Sequence, residues 1–406
     1  MWVPKDLSVM NINYLRLKLN TRSFINKFFS FVCVFCAFLP VVFLFVLLFS
    51  TFSGAYKALQ QTKFAVDLEK VGIASGDLRY EIREKLISYL KDQLPWEEDP
   101  FIIMNFFSNY AVDEVLGALN VGEKKVWATI SGEADTVHKY RRSGSPGMKR
   151  VVQYFSERGL LKKALNYKLF TNPDSRDSSQ AGIVGALIGS LYTVFVSLLV
   201  SFFIGVLTAL WLGEYSSRSS ITRVLEVSIN NLSSTPPIVF GILGLTFYIN
   251  FLGLPRSSSL VGGLTLAFIM FPILVTSSLH AIRSVPDNIK QAAFALGASK
   301  VQVILHHVLP LSMPGIMTGT ILGIARILGE SAPLLMIGMV AFVGSIPESI
   351  REPANVFAVQ IYIWATSPDI STNEKTSIMV LVLLLLLLAL NCVVHFIKKV
   401  FHYDFH

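Results

Sequence analysis

The sequence predicts an all-α membrane protein with six transmembrane helices and one polar exported insertion after the first. Three observations carry this. Hydrophobic residues make up 52% of the 406 residues and charged residues only 15%, where a soluble chain carries about a quarter charged. The apolar residues gather into runs that reach the roughly 20 residues needed to cross a bilayer. Those runs are continuous rather than alternating, which selects helices over a barrel.

Residues 1–30 are polar and basic, with Lys5, Arg16, Lys18, Arg22 and Lys27, and are expected in the cytoplasm. The apolar run of the first anchor, 31–53, is too long for the core of a cleaved leader and reads as an uncleaved anchor. Residues 54–180 carry mixed charges and no spanning run. Asp77–Asp92 places apolar residues at helical spacing, so part of this segment is expected to fold. A loop this long escapes the positive-inside rule, so its basic residues do not prevent export.

Five further runs follow, at Ile183–Leu212, Val227–Phe251, Leu260–Leu279, Met313–Phe342 and Ile378–Ile397. They define a five-helix core over 181–400 with a cytoplasmic loop at 281–311 and a cytoplasmic tail at 401–406. Arg218, Arg223, Arg283, Lys290 and Lys300 then fall inside, as do Lys398 and Lys399, while the short outer loop at 253–259 has Arg256 alone. Glycines 182, 185 and 189 in the second run suit close helix contact. Ser233-Ser234-Thr235-Pro236-Pro237 interrupts the third run, because two prolines remove two backbone donors. A kink beside a permeation path is expected there.

Several function classes are excluded. The net charge of +8 is spread over the ends and the insertion, without a basic stripe interleaved with aromatics, so no nucleic-acid partner is expected. Cys33 and Cys36 have CxxC spacing but lie in an apolar run, where they read as small apolar residues. No phosphate-binding loop or nucleophile–base constellation occurs, so no catalytic residue is assigned. His306 and His307 are adjacent and point apart on a helix, and no metal site is expected.

Two segments carry candidate function. In the 281–311 loop, Pro286 and Asp287 suit a helix start and Gly297 a helix end. The short helix between them, with the small residues Ala292 and Ala293, reads equally as an element that docks into another protein or as a connector. In the fifth run, Arg326 and Glu330 are one turn apart. Inside a membrane they are expected to pair and face the bundle interior. Arg326 then reads either as a contact for an oxyanion, whose oxygens its planar fork matches, or as half of a structural pair. Gly329 and Pro333 permit a break beside it.

The spacing of Gln291-Ala292-Ala293, Gly297, His307 and Leu309-Pro310 resembles the EAA loop of ABC-importer permeases, with Gln291 in place of Glu and His307 in place of Ile. The string Ile316–Leu335 (IMTGTILGIARILGESAPLL), Gly213-Glu214-Tyr215, Ser234–Gly241 and Ala292–Ala298 resemble the PstA family of phosphate-importer permeases. The resemblance covers about 180–400. It implies a MetI-like type I importer core whose coupling helix sits in a cytoplasmic ATPase through Gln291, Ala292, Ala293, Gly297, Leu309 and Pro310. It further implies a sister permease (PstC), an ATPase dimer (PstB) that holds the ATP, and an exported phosphate-binding protein (PstS). The substrate path would involve Arg326, Glu330, Thr276 and Ser277. Thr276 stands where some family members place a further Arg, and with Ser277 and Ser278 it reads either as a path hydroxyl or as a helix-packing one. Three alternatives remain open: a permease for another oxyanion or small solute, an ion-coupled secondary transporter, which would have no use for the coupling helix, and a membrane sensor with an exported ligand-binding segment.

Overall fold

The computed structural model describes residues 6–73, 77–140, 144–216 and 219–403. Lys5 and Arg218, used above to orient the chain, lie outside these residues, as does the end of the tail at 404–406. The chain divides into two units, Met1–Ser53 and Gly54–His406.

The first unit is helical. Helix α1 runs Asp6–Ala58, and from Ile25 it is apolar on every side, with its large hydrophobic residues exposed. A helix hydrophobic all round is suited to lipid. Cys33 and Cys36 are free and exposed on it.

Within the second unit, the polar segment folds into a domain that the periodicity foreshadowed only at Asp77–Asp92. Strand β1 (Gln60–Asp67) is followed by α2 (Leu68–Val71), α3 (Arg79–Gln93), α4 (Pro100–Met104) and α5 (Ala111–Val121). Then come β2 (Lys125–Thr129), α6 (Gly132–Tyr140), α7 (Pro146–Glu157) and β3 (Leu161–Leu165). The sheet has the order β2-β1-β3, antiparallel throughout, with Phe64 opposite Ala128 on one side and Leu161 on the other. Phe64 is fully buried and meets Phe106, Phe107 and Phe155 edge-on, with ring centroids 5.6, 5.7 and 4.9 Å away. The domain therefore has its own apolar core, organised by edge-to-face aromatic contacts. The helical membrane fold thus carries one small sheet outside its spans.

This domain is fastened to the last helix of the chain by buried polar groups. Lys139 on α6 pairs with Asp135 and, at 3.5 Å, with Glu374. The buried Lys375 donates to the Ala181 carbonyl at 2.6 Å. Gly132, which opens α6, leaves no room for a side chain against Ser178 and Ser371. At Lys168, burial pushes the ammonium down to about 8, against the Glu114 carboxylate 3.3 Å away that favours its charge. Burial likewise raises the Asp174 carboxyl, although Gln360 and Trp364 donate to it.

The membrane core follows: α8 (Val184–Leu210), α9 (Ser220–Ser233), α10 (Pro237–Leu243), α11 (Ser259–Arg283), α12 (Asp287–Ala295), α13 (Lys300–Val303) and α14 (Leu309–Leu328). The last elements are α15 (Ala332–Met336), α16 (Phe357–Ala365) and α17 (Ile370–Tyr403). Helix α11 is central, packing on α8 and α14. Side chains added at Gly315, Gly319 and Gly323 of α14 would strike Ala281, Ser277 and Met270 of α11. That register makes the two helices antiparallel, and the glycines at every fourth position let their backbones approach closely.

Five helices are long and apolar enough to span, or six when the pair Ser220–Ser233 and Pro237–Phe251 is taken as one span. That pair is bent by 101°, so the expected kink is a full turn of the chain. Pro236 and Pro237 cannot extend α9, and Pro237 instead occupies the first turn of α10, where its missing N–H is not needed. The fifth span also differs from expectation. It covers Lys300–Leu328 rather than Met313–Phe342, because the helix starts with a Ser299–Gln302 capping box and stops at Gly329. Pro310 is carried within it behind a π-helical stretch, Ile304–Val308, which ends with the Leu309 N–H donating to the Ile304 carbonyl. Glycines 182 and 189 accept the backbone of Asn172 and Asn355 rather than a neighbouring helix.

Candidate transport and coupling sites

Arg326 occupies the last turn of α14, seven residues past Gly319 and so on a face that borders the glycines, beyond the last of their contacts with α11. Leu311, Thr318, Leu322 and Arg326 form one exposed stripe along the helix, at helical spacing. The expected pairing with Glu330 does not form. The helix ends at Leu328 with Gly329 as its cap, so Glu330 lies off the helix and the i,i+4 geometry is absent. Among the described residues Arg326 has no ion pair. Its side chain is exposed rather than buried within the bundle.

The hydroxyls expected beside it are engaged elsewhere. Thr276 Oγ1 donates within its own helix, to the carbonyls of Pro272 at 2.9 Å and Ile273 at 3.1 Å. Ser277 is pressed against Gly319. Arg326 lies seven residues past Gly319, roughly 10 Å further along the axis at 1.5 Å per residue. The structure therefore does not gather Arg326, Thr276 and Ser277 at one point. Thr276 lines a cavity of about 100 Å³ with Glu226, Asn230, His280 and Arg283, between α9 and α11.

The candidate docking segment forms a helix where Pro286, Asp287 and Gly297 place one, with a correction of face. Helix α12 spans Asp287–Ala295, and Gly297 adopts φ 84°, which the Cα substituent of other residues resists. Gln291 and Ala292 are exposed, but Ala293 is buried in the subunit's own core, so it is not available for a partner's close approach. Outward instead point Phe294 and Leu296, the latter 90% exposed. Sequence reasoning missed both, since a lone Phe and Leu in a short helix look like core. Leu309 and Pro310 are half-buried within the spanning helix.

Two charged contacts hold this end of the bundle. Arg283 pairs with Glu226 of α9. Lys290 of α12 reaches Glu214 Oε1 at 2.7 Å, with both side chains largely buried. Glu214 belongs to the π-helical turn Trp211–Tyr215 that ends α8. The string Gly213-Glu214-Tyr215 was visible in the sequence as a family match, but nothing in its spacing indicates a partner 76 residues away.

Residues 201–404 match the family described as "Binding-protein-dependent transport system inner membrane component". The chain is 31% identical over 210 residues to the probable ABC transporter permease protein YqgI of Bacillus subtilis (strain 168), covering 49% of this chain and 71% of that protein. It is 33% identical over 205 residues to the phosphate transport system permease protein PstA of Haemophilus influenzae, covering 50% and 71%. Among solved structures, the inward-facing MetNI methionine ABC transporter aligns with a TM-score of 0.42 at 19% identity, over 55% of this chain and 96% of that one. With its matched segment filling half of the sequence and running from α8 to α17, the chain belongs to the binding-protein-dependent transport system inner membrane component family and is a multi-pass membrane permease.

Proposed function

We propose that the chain is a permease subunit of an ATP-driven inorganic phosphate importer. It would form half of the translocation path and couple to an ATPase on another chain. The observation that carries the substrate is the likeness, across the spanning core, to a phosphate transport permease. Arg326 supports it physically. A full charge exposed on a spanning helix costs about 2.5–3.5 kcal/mol in lipid, so the α14 stripe belongs against a second subunit or a water-filled path. There a guanidinium fork can take a tetrahedral oxyanion bidentately. Glu330 sits beside the same break. Thr276 and Ser277 act through helix packing on this reading.

The partners follow from the same reading: a sister permease of the PstC kind against α14, and a PstB-type ATPase dimer, which holds the ATP, under α12. A PstS-type phosphate-binding protein would stand on the opposite side. Gln291, Ala292, Phe294 and Leu296 form the surface offered to the ATPase, with Gly297 shaping its end and Leu309-Pro310 leading into the spanning helix. The termini then lie in the cytoplasm and the domain at 54–180 in the periplasm.

The test is ATP-dependent uptake of labelled phosphate by the reconstituted complex, comparing wild type with Arg326→Gln in samples of proven assembly. Uptake that requires ATP supports the phosphate importer, and its loss in the variant places Arg326 on the path. An assembled wild type that moves no phosphate overturns the substrate and leaves a permease for another solute.

A further inference from the structure

Helix α12 is joined by the chain to α11 on one side and to α13 and α14 on the other. Covalently it has no link to α8. The structure supplies one through a single turn. Lys290, in the middle of α12, pairs with Glu214 at 2.7 Å, and the two side chains are only 15% and 12% exposed. Lys300, at the start of α13, lies over the ring of Tyr215 at 4.5 Å. Both contacts end on the π-helical turn Trp211–Tyr215. The same turn is pressed onto α11: a Cβ at Gly213 would lie 2.8 Å from Ile282, and Leu212 is buried.

We infer that Glu214 and Lys290 are positioning residues for transport, forming the strut that carries displacement of α12 to the end of α8. This rests on α12 being the element the ATPase moves. A strut must resist both separation and sliding. An ion pair shielded from water does so better than exposed charges, whose attraction is screened. Asp287, also within 3.4 Å of Lys290, is 80% exposed, so it is a weak competitor and Glu214 is the partner that holds. The turn is π-helical, a form that is rare and frequent at functional sites. Without the pair, α12 reaches α8 only indirectly, through the packing of α11 on it. With it, the end of α8 is tied to α12 directly, and three spans move as one body.

The test uses the complete importer in vesicles and compares wild type with Glu214→Gln, Lys290→Gln and the exchanged pair Glu214→Lys/Lys290→Glu. Two quantities are read in complexes that still contain the ATPase. The first is labelled phosphate moved per ATP hydrolysed. We expect a fall of about tenfold in each single variant, within the range typical of coupling between sites, with hydrolysis retained, and substantial recovery in the exchanged pair. The second is hydrogen exchange at residues 211–216 on adding ATP. It should change in wild type, lose that change in the single variants and regain it in the exchange. Single variants that keep the wild-type ratio and the wild-type exchange response overturn the inference, as does an exchanged pair no better than the singles. If wild type moves no phosphate, the substrate reading fails, and the exchange response alone decides the strut. If no ATPase associates, the coupling reading and the strut fall together.

Discussion

At the scale of single residues, chemistry readable in the sequence was redistributed by where each helix stops. Arg326 and Glu330 are four apart, which on a continuous helix makes a pair. Gly329 ends α14 between them, so the arginine is left on an exposed stripe. Gly319 shows the reverse case, a residue without chemistry that decides the packing of two spans. Replacing it with Leu should force α11 and α14 apart and cost about 1–3 kcal/mol, the usual range for overpacking. Thermal unfolding of the detergent-solubilised chain would show this, and an unchanged midpoint would deny the close contact.

Lys168 gives a pH prediction at the same scale. Its folded value, about 8, lies below the ordinary 10.5 because burial disfavours the charge. Between those values the unfolded chain binds the extra proton, so stability from this group rises with pH there. Below about 8 the burial penalty is fully present. Lys168→Met removes it, while Glu114 keeps Lys63 at 2.8 Å and the Thr129 amide at 2.6 Å. The midpoint difference between variant and wild type should therefore be greatest below pH 8 and narrow towards pH 10. A constant difference would refute the assignment.

At the scale of elements, the proposed function rests on α12 and the broken third span. The helix at 287–295 was legible because Pro286, Asp287 and Gly297 punctuate it. Which of its faces is offered outward was not, because Ala292 and Ala293 look alike in sequence and differ only in what packs behind them. Leu296→Asp should leave the fold intact and abolish co-purification of the ATPase, since the residue touches little of its own chain. Retention of the ATPase would move the docking surface elsewhere. In the third span, a Cβ at Gly241 of α10 would lie 2.7 Å from Pro333 and 2.9 Å from Met336 of α15. Gly241→Leu should separate these half-helices and reduce uptake with the complex still assembled. Wild-type uptake would show that their packing is incidental.

At the scale of the whole molecule, the unit from Gly54 onward combines a membrane bundle with a polar domain held on α17. The fastening consists of Lys375 on the Ala181 carbonyl, Lys139 between Asp135 and Glu374, and Gly132 against Ser371. Buried charges tolerate no loss of partners, so the contact should persist as the helices move. A side chain at 132 would collide with Ser178 and Ser371, so Gly132→Leu should loosen the domain from α17 and raise hydrogen exchange along α6. Unchanged exchange there would show that this contact does not hold the domain.

The sequence by itself determined the membrane class, the approximate spans, the coupling segment and the break at Ser233–Pro237. These rest on local quantities: runs of apolar side chains, proline's missing donor, and the conformational freedom of glycine. Tertiary structure alone decided which side of each helix is covered and where distant charges meet. Lys290 finds Glu214, Lys139 finds Glu374, and Arg326 has no ion pair among the described residues, because the pairing of charges depends on helix ends and crossing geometry. The fold of residues 54–180 belongs to the same category. Its strands are short and its core is assembled from Phe64, Phe106, Phe107 and Phe155, residues up to 91 positions apart, whose mutual contact no local periodicity records.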